Sequence, residues 1–198
     1  LNQLGYYSLL FGLLFSALVI LQSFRPVVNK TNLVSKNIYF SIFFQFLFVI
    51  LSFIFLISSF VTSDFSNLTV FNNSHTEKPL FYKISGAWGN HEGSLLLWLL
   101  VLTLFILIFV ITSKKFDNKY RLLTIFFQEI IIFGFFLFII LTSNPFTYLY
   151  PTPVQGLGLN PILQDPALAI HPPILYIGYV GTSLVFSSAL ASIINENI

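Results

Sequence analysis

A chain of 198 residues that is 56% hydrophobic and only 8% charged cannot clothe its surface for water, because soluble domains carry about 25% charged residues; most of that surface is expected to face lipid. The net charge of +2, with the basic residues scattered along the chain, argues against a nucleic-acid partner. The absence of cysteine excludes disulfides, thiolate metal sites and cysteine nucleophiles, so any thiol chemistry must use another molecule's thiols.

Five stretches are apolar over the roughly 20 residues that a spanning helix needs. They run over about 4–24, 38–62, 94–112 (or from a turn earlier), 122–142 and 174–194. Helix is the state expected of each, since lipid cannot satisfy open backbone groups and the runs are too long and evenly apolar for barrel strands. The predicted fold is therefore all-α, a single membrane domain over 1–198 with about five transmembrane helices. No histidine falls inside these five spans.

The first connection carries Arg25, Lys30 and Lys36, and the third carries Lys114, Lys115, Lys119 and Arg121. The second holds only Lys78 and Lys83, and the fourth none. Positive residues stay inside, so the N-terminus is expected outside, in the intermembrane space, and the C-terminus in the matrix. The long connections at about 63–93 and 143–173 then both face outward. The 25 phenylalanines, with abundant isoleucine, suit an AT-rich organelle genome, and a mitochondrial inner-membrane location is expected. The N-terminus lacks the Arg- and Ser-rich amphipathic stretch of a cleavable presequence.

The second connection runs into Gly86-Ala87-Trp88-Gly89-Asn90-His91-Glu92-Gly93-Ser94, followed by Leu95-Leu96-Leu97-Trp98. Trp88 suits a membrane–water interface. Asn90 can cap the helix that follows, and Glu92 suits its N-terminal dipole. The glycines permit close backbone approach, to another helix or to a flat ligand. A well-anchored helix start and a binding site are both compatible with this pattern. The zinc-protease pattern fails, because Leu95 stands where its second histidine would be. His75, among Asn72, Asn73 and Ser74, reads as a solvated loop residue.

Gln128 and Glu129 interrupt the fourth span. An acid inside a membrane is a functional candidate, but no basic residue in a span pairs with it. A protonated or partner-bonded carboxyl at a helix interface is the favoured reading.

The fourth connection holds Pro145, Pro151, Pro153, Pro161, Pro166, Pro172 and Pro173. Proline fixes φ and lowers the entropy lost on ordering, so a stiff irregular surface is expected. A long connection in a compact protein is usually functional. Pro172 and Pro173 are expected to start the fifth helix, with His171 just before them at the outer membrane interface. An imidazole there can ligate a metal or bond loop carbonyls.

These segments resemble the CcmF family of cytochrome c haem lyases. Residues 88–98 are similar to its WGxHEGSLLLW segment. Asn144-Pro145-Phe146, Leu159-Asn160-Pro161, Leu163-Gln164-Asp165-Pro166 and His171-Pro172-Pro173-Ile174-Leu175-Tyr176-Ile177-Gly178-Tyr179-Val180-Gly181 are similar to its NPF, LNPLLQDP and HPPxLYxGYVG run. Asp64-Phe65 also fits. The resemblance implies that haem, taken from a haem chaperone, is joined through its vinyl groups to the thiols of a CxxCH motif in apocytochrome c, which a thiol-handling partner prepares. It implies that His171 is one of two outer histidines ligating the haem iron. Trp88, His91, Glu92, Gly93, Trp98, Asp165, Pro172 and Pro173 are then expected to support the haem site or an interface. The family's tryptophan-rich WWD segment, its second outer histidine and its intramembrane histidine pair are absent from this sequence. The expected role is the N-terminal subunit of a split lyase, sharing haem with a C-terminal CcmF-like chain. The alternative is a non-catalytic CcmF-like subunit of a respiratory or assembly complex.

Overall fold

The structure, a computed structural model, describes residues 1–31 and 33–195. It forms seven α-helices: α1 (Asn2–Val28), α2 (Lys36–Val61), α3 (Leu68–Asn73), α4 (Leu80–Gly86), α5 (His91–Thr112), α6 (Asn118–Thr142) and α7 (Pro166–Asn195). The described residues form no strand; one antiparallel bridge pairs Asn67 with Tyr148. Five helices, α1, α2, α5, α6 and α7, are long and apolar enough to cross a membrane. The protein is an all-α polytopic membrane protein, as its composition requires.

Small residues set the central packing. The buried face of α1 reads Gly5, Ser8, Gly12, Ser16, Val19 and Ser23, at the three- and four-residue spacing that stacks side chains on one helix face. In lipid, where apolar helices gain little by hiding from solvent, such residues let backbones approach closely. The face accepts α2 and α6. A Cβ at Gly12 would meet the Phe136 ring of α6, and Ser52 of α2 donates to the Gly5 carbonyl at 3.0 Å. Helix α5 packs against α2, α6 and α7, and bears Leu96, Leu99, Leu102 and Ile106 without exposure. Helix α7 is the peripheral element: 17% of its apolar window is buried, against 33–44% in the other four.

The bundle has two distinct ends. At one, Arg121 of α6 donates to Tyr39 Oη of α2 at 2.6 Å and to Ser113 Oγ at 3.1 Å. This fixes the turns holding Arg25, Lys30 and Lys36 beside those holding Lys114, Lys115 and Lys119. Asn195 of α7 reaches Asp117 there, at 3.2 Å. At the other end the buried Asn67 donates to Asn2 Oδ1 at 2.6 Å and to the Pro145 carbonyl at 2.9 Å. One side chain thus ties the N-terminus to both long connections.

Those connections depart from the expected loops. Residues 63–90 contain α3 and α4, too short for hydrophobic periodicity to reveal. Asn67 caps α3, its Oδ1 accepting from Val70 N at 3.1 Å. Residues 143–165 are irregular apart from a 3-10 turn at Pro161–Leu163. They are held down by backbone bonds as well as by proline: Leu68 N to Thr147 O, Leu149 N to Ser66 O, Leu157 N to Phe71 O and Gly158 N to Ser74 O, at 2.8–3.1 Å. His75 lies in a loop, partly exposed, and its Nδ1 accepts from Glu77 N at 3.3 Å.

Helix α7 begins at Pro166, six residues before the proline pair that was expected to start it. Asp165 Oδ1 accepts from Ala167 N at 2.9 Å and Leu168 N at 3.1 Å. Pro166 takes the first helical position, where a missing N–H costs nothing. This start signal outranks the later proline pair. Pro172 and Pro173 therefore lie inside α7, and His171 is a helical residue rather than the last of a loop. Helix α5 begins with His91, the earlier of the two starts expected for the third span. Two histidines belong to the long helices, although the expected spans contained none.

Candidate functional site

The turn between α4 and α5 is built by Asn90. Its Oδ1 accepts from Gly93 N at 2.8 Å, capping α5, and its Nδ2 donates to the Gly86 carbonyl at 2.7 Å, the last residue of α4. Ser94 Oγ donates back to the Trp88 carbonyl at 2.6 Å. Gly93 is required by proximity: a Cβ there would run into the Ala87 carbonyl. Glu92 sits in the first turn of α5, where a negative side chain complements the helix dipole. Asn90, Glu92 and Gly93 thus form the helix start. In the connection between α2 and α5, burial pushes the Lys78 ammonium down to about 8, and the charge of Lys83 adds to the effect.

The turn aims two tryptophans at α7. Proline at 173 removes the N–H that would bond the carbonyl of Ala169, four residues earlier. Trp88 fills the vacancy: its Nε1 donates to that carbonyl at 2.8 Å, while its ring stacks on Phe53 at 6.4 Å. Lower down, Trp98 meets Tyr176 edge-on at 5.4 Å and Tyr179 at 5.7 Å, with its other contact a stack on Phe135 of α6. The first motif holds the helix that carries the second.

Between them lies a cavity of about 490 Å³, bordered by Trp88, His91, Trp98, Leu163, Pro172 and Tyr176, among others. Of the expected site residues, Trp88, His91, Trp98 and Pro172 meet here. His171 does not border it. Its ring is exposed, on the flank of α7 turned from the cavity, because one residue along a helix rotates direction by about 100°. Pro173 acts through the carbonyl it frees, and Asp165 as the cap of α7.

Sequence reasoning missed Tyr176 and the Ala169 carbonyl. A proline pair at 172–173 announces unpaired carbonyls at 168 and 169, and a nearby indole is a donor suited to one of them. Replacement of Trp88 by phenylalanine keeps the ring and loses that bond. We expect a loss of about 1–3 kcal/mol, measured as thermal unfolding of the purified protein, with α7 loosened first in hydrogen exchange.

Residues 88–198 match the model of the family described as cytochrome C assembly protein. The match opens at Trp88 and takes in α5, α6 and α7. The chain is 44% identical, over 99% of its length, to the cytochrome c-type biogenesis protein CycK of Rhizobium meliloti (strain 1021), covering 29% of that protein. It is 43% identical, over 74% of its length, to the cytochrome c-type biogenesis protein CcmF of Escherichia coli (strain K12), covering 23% of that protein. A solved structure, cytochrome c heme lyase CcmF, superposes with a TM-score of 0.81 at 24% identity, over 99% of this chain and 31% of that one. The chain thus spans less than a third of the length of these relatives.

Proposed function

Given that the chain belongs to the cytochrome c assembly protein family, as a member of its CcmF group, we propose that it is the N-terminal subunit of a split cytochrome c haem lyase. In this reading α7 presents His171 as one axial ligand to the iron of haem, which is the substrate. A C-terminal CcmF-like chain with the WWD segment encloses most of the haem. A haem chaperone supplies it, and apocytochrome c brings the CxxCH thiols that add to its vinyl groups. The chain needs no cysteine of its own for that addition. Its contribution is orientation.

The observation that carries the reading is the setting of His171. Its imidazole is exposed, and the described residues give it no hydrogen bond. It lies at the end of the bundle where Asn67 gathers the two long connections. An imidazole on a helix pinned by Trp88 and Trp98 suits a haem-iron ligand. The surrounding Ile170, Ile174 and Leu175 are exposed and apolar, suited to a porphyrin face or a partner helix. The opposite end holds seven basic residues, which supports placing it in the matrix and the His171 end in the intermembrane space of the mitochondrial inner membrane.

Cytochrome c yield in cells tests this. His171→Ala is expected to lower the yield at least about tenfold, the scale on which metal-site changes act, with the protein still present in the membrane. His91→Ala should cost far less, because that imidazole borders the cavity rather than the outward flank. Normal yield after His171→Ala would favour a non-catalytic subunit instead.

A further inference from the structure

Midway along α6, Glu129 is wholly buried where α6 packs on α1, and Gln45 of α2 reaches it there. Its two oxygens are treated differently. Oε2 accepts from Ser16 Oγ at 2.8 Å and from Gln45 Nε2 at 3.0 Å, whereas Oε1 has no donor. A carboxylate is acceptor-only at both oxygens and draws donors to each. Two bonds accepted by one oxygen and none by the other is the pattern of a C=O beside a C–O–H. The second orphan at this spot is Gln45 Oε1, also buried and without a partner. It belongs to the amide that already bonds Glu129.

One hydrogen satisfies both orphans. We propose that Glu129 stands as a neutral carboxylic acid whose Oε1–H donates to Gln45 Oε1, closing a cyclic acid–amide pair that latches α6 to α2 and, through Ser16, to α1. No Lys, Arg or His faces Glu129 among the described residues; α1 offers it Ser16 and α2 offers it Gln45. A bare charge at this depth is costly, while the pair leaves neither charge nor unmet polar atom. About 100° round α6, Gln128 donates to Ser183 Oγ at 3.0 Å and accepts from Ser187 Oγ at 2.9 Å. Adjacent residues thus fasten α6 to different neighbours. The acid serves as a fastener between helices, and this role is independent of the reading of His171.

Infrared spectroscopy of the protein, purified with its partners from its own membrane and labelled with 13C at glutamate carboxyls, tests the latch. At neutral pH an isotope-sensitive carboxylic C=O band for one group is expected, lost in Glu129→Gln. In Gln45→Leu the same band should shift to higher frequency, as a C=O does on losing a donor. Loss of a carboxylate band instead, on Glu129→Gln, would overturn the proposal. So would a C=O band that Gln45→Leu leaves unmoved, and this second variant decides the matter if the first fails to fold.

Discussion

Substitution of Gly93 by alanine is expected to destabilise the protein by more than about 3 kcal/mol, above the range of most single substitutions. The added methyl would occupy the position of the Ala87 carbonyl oxygen, a backbone atom that cannot turn aside as a side chain can. To make room, the turn from α4 to α5 must open. Opening breaks the bonds of Asn90 to Gly93 N and to the Gly86 carbonyl. It also moves Trp88 away from Ala169. The effect should spread from one methyl to the seating of α7, and so to His171. Thermal unfolding in detergent would register the loss, and protease cutting near residues 87–93 would locate it. A variant as stable as the parent would mean that the turn is not so tightly closed.

The second large effect is expected at Gly156, in the irregular connection between α6 and α7. A Cβ there would strike the Ser74 carbonyl and the ring of Phe65. The segment 155–158 lies on the end of α3 through Leu157 N to Phe71 O and Gly158 N to Ser74 O. Gln155 adds a bond from its Nε2 to Thr76 Oγ1 at 2.6 Å. Gly156→Ala should lift this segment and cost at least about 2 kcal/mol of local stability. Hydrogen exchange at 155–158 should rise by more than tenfold, since each 1.4 kcal/mol is a factor of about ten. The membrane helices, held by separate contacts, should exchange as before. If exchange rose equally throughout, the connection would be part of the bundle's cooperative unit.

The five spanning helices were legible because their signal is local and long. Their apolar runs exceed 18 residues, and chain length converts directly into membrane thickness. The start of α7 was misplaced by six residues, at Pro172 instead of Pro166. Proline is common both at a helix start and, in membranes, inside helices whose neighbours satisfy the freed carbonyls. The Asp165 cap ahead of Pro166 settles the start, while the indole of Trp88, 81 positions from Ala169, takes up a freed carbonyl that local reading leaves unpaired. Helices α3 and α4 escaped notice because six or seven residues hold fewer than two full turns of pattern.

The candidate site was legible in part. Asn90 as a cap and the glycines as places of close approach followed from residue chemistry alone. Glu129 was recognised as an interface acid from the lack of a basic partner, but Ser16 and Gln45 come from helices 113 and 84 positions away. The sequence grouped His171 with Trp88 and His91 because motifs group residues by chain and not by face. On α7 a single step from Pro172 to His171 separates the cavity wall from the exposed flank.

The central claim is that the imidazole of residue 171 reaches haem iron. The most direct measurement is the optical spectrum of haem in the complex purified with its partner chain, comparing the parent with His171→Gly before and after adding free imidazole. The account predicts a low-spin spectrum in the parent, its loss in the variant, and its return when imidazole fills the emptied place. A variant whose haem spectrum and content match those of the parent, with imidazole changing nothing, would contradict it.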